Sequence, residues 1–270
     1  MGARGAGGGA APGATAARGP RGAQVFFVRQ RTSKDLLQLK WDYPAMLKVD
    51  LAASEGDEQS TATSRRMRAL ARQDAIANVA GDDLRPLLVL RDCETCKGTD
   101  DAILNDRVSN EMTALMSRWF HCVRLPSAVL KADHTFRNLF EGDVAPHMFV
   151  CSVDGTNLVA LGGRPGQTEL WTAMNSVLCQ EYEKDPEDAA KQILRHLAKF
   201  DHLDSMQEEY GNQLALEIEK RGPNSSKVRS LRAKIERLQR EREDTQKLVA
   251  KASDLGLKRK PTSLRDGEGR

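Results

Sequence analysis

The chain has 270 residues, with 41 Lys and Arg against 38 Asp and Glu, and 40% hydrophobic but only 5% aromatic residues. That length suits one or two domains, and no run approaches the ~20 consecutive apolar residues that a membrane-crossing helix needs. Residues 1–23 contain no Leu, Ile, Val or Phe, so a secretory leader is not expected and a cytoplasmic location is.

The net charge of +3 hides an uneven distribution. Residues 1–31 carry five arginines and no acid, residues 227–260 carry 12 basic and 5 acidic side chains, and residues 32–226 carry 22 basic against 31 acidic. Basic ends flank an acidic middle, so affinity for a polyanion cannot be argued from the pooled composition. The clusters Arg65-Arg66-Met67-Arg68 and Lys258-Arg259-Lys260 lack interleaved aromatics, and solvated helix faces or tails account for them. Nucleic acid is not the expected partner.

In chain order, residues 1–23 are a Gly/Ala-rich tail that can bury no core and is expected to be disordered. Residues 24–83 form an N-terminal extension. It holds two short apolar runs, Val25 to Val28 and Met46 to Leu51, which read as strands or a clasp on the main domain, separated by a Leu-rich piece around Leu36, Leu37 and Leu39. A polar loop over 52–64 follows, and from Arg65 the spacing of Met67, Leu70, Ala71, Ala75, Ile76 and Val79 predicts a helix ending near Gly81.

Leu87-Leu88-Val89-Leu90 then changes the period and predicts a strand buried on both faces. Ile103 to Trp119 returns to helical spacing, Phe120 to Leu125 predicts a second strand and Phe136 to Phe140 a short helix. His147 to Val153 predicts a third strand, turned by Asp154-Gly155 into Leu158 to Leu161. After Gly166, a helix carries Leu170, Trp171, Met174, Val177 and Leu178. Residues 186–252 hold two amphipathic stripes separated by Gly222-Pro223-Asn224-Ser225, which predicts an antiparallel helical hairpin, and 253–270 read as a disordered polar tail. The stripe at 228–249, interrupted by Arg242, is too short for a firm coiled-coil assignment. Folding back on 203–220 competes with self-association or partner binding through 203–252.

Five cysteines stand at 93, 96, 122, 151 and 179, and only Cys93 and Cys96 are close in sequence. An odd count without a leader argues against a disulfide scaffold. A CxxC where a buried strand meets a helix puts the first thiol at the helix N-terminus, where free backbone N–H groups favour a thiolate. Cys93 is therefore the expected nucleophile. Cys96, one turn on, is placed to resolve the mixed disulfide that forms. Half of a zinc site is the competing reading, but no second CxxC or His-x-x-x-His completes it, and Cys122 with His121 would point to opposite faces of a strand. Cys122, Cys151 and Cys179 sit in apolar patterns and read as core thiols.

Residues 84–180, with Leu87-Leu88-Val89-Leu90 before Cys93-Glu94-Thr95-Cys96-Lys97 and Val144-Ala145-Pro146-His147 before a strand, resemble a domain of the thioredoxin-like superfamily. The long stretch from Cys96 to Leu125 is closest in pattern to the longer bacterial thiol-disulfide reductase domains. The resemblance implies an α/β thioredoxin-like fold and a cis Pro146 facing the CxxC. It also implies a groove at Ala145, Pro146 and His147, where the backbone of Ala145 pairs with a substrate. The implied activity is thiol-disulfide exchange on protein or small-thiol disulfides with an external electron donor, and no metal or organic cofactor is needed.

Asp92 stands where thioredoxins carry Trp, and Glu94-Thr95 stands in place of Gly-Pro. No acid lies within the strand. Two carboxylates beside the thiolate would oppose it and place the pair toward the reducing end of the thioredoxin range. The alternative class is a non-catalytic scaffold, with a degenerate thioredoxin-like domain and a partner-binding hairpin.

Overall fold

A computed structural model of the chain describes residues 29–44, 69–93, 103, 110–142, 145–162 and 165–259. The expectations for 1–23, for the runs at 25–28 and 46–51 and for the 52–64 loop lie outside these residues.

The apolar run after Pro86 forms β1 (Leu87–Arg91), with all five residues buried. It lies inside a four-stranded mixed sheet with β2 (His121–Leu125), β3 (Met148–Cys151) and β4 (Val159–Leu161), in the order β2-β1-β3-β4. β1 runs parallel to β2, with Leu87 opposite His121, and antiparallel to β3, with Leu90 opposite Met148. β3 and β4 form the hairpin expected at Asp154-Gly155. Gly155 has φ +79°, which favours glycine, and a Cβ there would also press on the end of the Ile76 side chain.

Alternation along β1 feeds two cores. Leu88 and Leu90 join Met148 and Val150 in a cluster with Leu115, Met174, Ile193 and Phe200. Leu87 and Val89 join Val123, Phe149 and Cys151 against Ile76, Val79, Phe136 and Phe140. The sheet is thus the middle of three layers, an α/β arrangement. One face is covered by α3 (Glu111–Ser117), α4 (Gln167–Glu181) and α5 (Pro186–Arg221), the other by α2 (Arg72–Ala80) and a 3-10 turn at Arg137–Phe140.

Several boundaries differ from the sequence pattern. α2 starts at Arg72, because Leu70 is held in extended backbone, donating its N–H to Thr135 and accepting from Asn138. Leu36 and Leu37 of the Leu-rich piece before it end a helix, α1 (Arg31–Leu37). The helical hairpin forms from α5 and α6 (Ser226–Ser253). Asp185 caps the first helix through Glu187 and Asp188, and Ser225 caps the second through Val228. The hairpin is no separate unit, since Ala190, Ile193, Phe200 and Val249 lie in the same core as β1. Arg242, which interrupts the α6 stripe, pairs with Asp204 of α5. The expected tail over 253–270 is packed as far as Arg259. Leu255 is buried, Leu257 bridges Tyr182, and Arg259 pairs with Glu181 and Asp154.

The N-terminal segment is a clasp held by charge. Arg29 donates to both Glu111 oxygens at 2.6 and 2.7 Å and to Asp201 at 2.7 Å, and Thr32 donates to Asp204. Further on, Asp42 exchanges backbone hydrogen bonds with Cys122 and Arg124, covering the outer edge of β2. Glu111 and Asp201 are largely buried, so removing the guanidinium strands two carboxylates. Arg29→Ala is therefore expected to cost about 3 kcal/mol in urea unfolding. Adding Glu111→Gln should recover part of that loss, and additive costs would show that the pair is not coupled.

Candidate functional site

The ladder of β1 continues one residue past the strand. Arg91 donates its N–H to the His147 carbonyl and Asp92 donates to the Leu125 carbonyl, at 2.9 and 2.8 Å. Cys93 is the next residue, half-buried at the C-terminal end of a central strand. In open α/β sheets this is where ligands bind, at the strand whose neighbours depart to either side. Counting back along β3 from the Leu90–Met148 pair sets Pro146 beside Asp92 and Ala145 beside Cys93. Both are half-buried. Three of the predicted site residues, Cys93, Ala145 and Pro146, are thereby brought to one end of the sheet. Cys96 and Glu94 lie outside the described residues.

Cys93 is in a disulfide, whereas Cys122, Cys151 and Cys179 are free. Burial pushes the Cys122 and Cys151 thiols up to about 12, and Cys179 is raised by partial burial and by Asp185. None of the three carries a useful thiolate fraction at neutral pH. Cys179 is exposed, not in the core as its helical pattern predicts, because it lies on the outer face of α4. Cys122 is turned inward, its sulfur 3.3 Å from the Ser117 carbonyl, while His121 on the other face meets Asp42 at 3.2 Å. Among the described residues no cluster of His, Cys, Asp and Glu is arranged to hold a metal ion.

Two further expectations are corrected. No cis peptide bond occurs among the described residues, so the Ala145–Pro146 bond is trans. His147 is 1% exposed, and its side chain belongs to the interior instead of to an open groove wall. The β-ladder accounts for this: the carbonyl of His147 is committed to Arg91, which aligns its side chain with the buried residues of β3.

The electrostatics also differ from what the local sequence implies. Asp92 does not stand as a bare negative charge beside Cys93, since Arg124 of β2 reaches it at 2.7 Å. On the opposite face, Arg91 is buried beneath the end of the strand, over the Phe140 ring at 6.0 Å from its centroid. Among the described residues its guanidinium makes one hydrogen bond, a long one of 3.4 Å from Nε to the Pro146 carbonyl. Neither arginine was marked as a site residue by the motif. The available signal was a cation ending an otherwise apolar run, Leu87-Leu88-Val89-Leu90-Arg91.

A pocket of about 430 Å³ lies at the other end of the sheet, between the clasp and the start of β2, and does not include Cys93. It contains the His121–Asp42 contact and the Arg85–Asp83 ion pair. Compared with protein-family models, curated proteins and solved structures, the chain has no significant match.

The Arg124–Asp92 pair adjoins Cys93, so breaking it should expose the sulfur to the carboxylate charge. In a Cys179→Ser background, alkylation of reduced Cys93 by iodoacetamide at pH 7, read by mass spectrometry, is expected to slow about threefold in Arg124→Ala. Adding Asp92→Asn should restore it. An unchanged rate in Arg124→Ala would mean that the pair does not reach the thiol.

Proposed function

We propose that the protein is a thiol-disulfide oxidoreductase of thioredoxin-like architecture, with Cys93 as nucleophile and Cys96 as resolving thiol. The observation that carries this reading is a disulfide-bonded cysteine at the C-terminal end of the central strand, with Pro146 in register beside it. The parallel β1–β2 pair followed by the β3–β4 hairpin agrees with the element order behind the resemblance. With the other three cysteines free, Cys96 is the candidate partner of Cys93.

In the reducing direction, the Cys93 thiolate attacks one sulfur of a substrate disulfide. The substrate S–S bond breaks, its other half leaves as a thiolate and takes up a proton, and a mixed disulfide remains on Cys93. Cys96 then attacks the Cys93 sulfur, the mixed disulfide breaks, and the second substrate thiol leaves. Two electrons have passed to the substrate and the pair is oxidised. A dithiol reductant returns it to the starting state.

The second reading, a scaffold whose working surface is the hairpin, draws on the trans Ala145–Pro146 bond and on Leu216 and Leu248, which stand about half exposed on α5 and α6. One experiment separates the two. The reduced protein with dithiothreitol should accelerate insulin precipitation, Cys93→Ser should abolish this, and Cys96→Ser should accumulate stable mixed disulfides. Wild-type protein with no activity above dithiothreitol alone would leave the scaffold reading standing.

A further inference from the structure

Arg91 is 8% exposed, yet among the described residues no carboxylate pairs with it. Arg29 by contrast has Glu111 and Asp201, Arg85 has Asp83, and Arg124 has Asp92, while Arg118, which also has no acid among the described residues, is exposed and donates to the Leu36 carbonyl. The acids raise the pKa values of Arg29, Arg85 and Arg124, whereas burial alone lowers that of Arg91. A guanidinium carries five N–H donors in a planar fork. Here a single long hydrogen bond to the Pro146 carbonyl and the face of Phe140 are what it meets. A desolvated charge without a counter-ion is costly to keep and cannot be discharged by losing its proton. Among the described residues, the Arg91 guanidinium at this end of the sheet is left without an anion.

Its position says which anion. Arg91 is two residues before Cys93 along an extended backbone, so the two lie about 7 Å apart at the strand rise. Pro146, whose carbonyl Arg91 touches, is in register beside the same stretch.

We infer that Arg91 anchors a carboxylate of a low-molecular-weight thiol or its disulfide, holding the sulfur of that molecule at Cys93. This deepens the exchange reading and rests on it. A small thiol with a carboxylate a few bonds from its sulfur matches the separation, and a slim terminal group can reach a side chain so nearly covered. A polypeptide disulfide would have to bring an acidic side chain into that depth from a fixed neighbouring position. The bidentate geometry between guanidinium and carboxylate supplies orientation as well as attraction. In the step itself, the Cys93 thiolate attacks the anchored half of the disulfide, the S–S bond breaks, and the unanchored half leaves as the thiol after taking a proton. Cys96 then displaces the anchored half, leaving the pair oxidised until dithiothreitol reduces it.

The test compares glutathione disulfide, which carries carboxylates, with 2-hydroxyethyl disulfide, which carries none, using the full chain and dithiothreitol. Arg91→Gln is expected to raise KM for glutathione disulfide about tenfold, with kcat and the 2-hydroxyethyl disulfide reaction little changed. Arg91→Lys should recover part of the loss, keeping the charge without the fork. Equal losses on both substrates would make Arg91 a structural residue, and no loss on either would overturn the anchor. So would a dependence on Arg91 seen only with an acidic peptide disulfide. If wild-type protein reduces neither small disulfide, the exchange reading fails, and calorimetry with S-methylglutathione, which cannot exchange, judges the anchor alone. Binding to wild type that is lost in Arg91→Gln sustains it, and equal or absent binding overturns it.

Discussion

The burial of β1 on both faces is the constraint on which the rest depends. Five consecutive buried residues cannot be covered by one layer of helices, so the chain must supply a cover for Leu88 and Leu90 and another for Leu87 and Val89. The first comes from α3, α4 and α5, the second from α2 and the turn at Arg137–Phe140. Because β1 is an inner strand, the backbone leaves the sheet at its C-terminal end with neighbours on both sides. Cys93 stands there because the strand ends there.

The long helix α5 extends this core into the rest of the molecule. At about 54 Å for its 36 residues it outruns the sheet, and only its first half is apolar enough to be drawn into the interior. Along that half it also presents Asp201 and Asp204, which receive Arg29, Gln30 and Thr32 from the N-terminal clasp and Arg242 from α6. Two carboxylates one turn apart thus join elements that are distant in the chain. The clasp in turn bridges the outer edge of β2 at Val123, taking up the Cys122 carbonyl and the Arg124 N–H there.

Charge around the thiol is organised by the same register. Leu90 faces Arg124 across the parallel pair, which brings the guanidinium up to Asp92 two residues on, on the same face, and strand alternation sends Arg91 to the other face. A stretch that reads as acidic in one dimension is, in the fold, a neutralised carboxylate on one side and an unanswered cation on the other. Nearby charge acts on a thiolate through space, so spatial neighbours outweigh sequence neighbours.

Much of the fold was legible in the sequence. The continuous run at 87–90, the Asp154-Gly155 turn and the caps at Asp185 and Ser225 express local rules of period, turn geometry and orphan N–H groups that act within a few residues. The pairing of a strand end with Cys93 was legible for the same reason. What the tertiary structure decided needs contacts between residues far apart. Arg29 with Glu111 and Asp201, Arg259 with Glu181, and Arg124 with Asp92 leave no periodic trace, since an ion pair constrains two positions and nothing between them. The pattern likewise could not tell that Cys179 faces outward, that His147 is interior, that the Ala145–Pro146 bond is trans, or that Arg91 is buried without an acid. The sequence by itself determined the elements and the place of Cys93 at a strand end. Only the packing of those elements determined the charge that surrounds it.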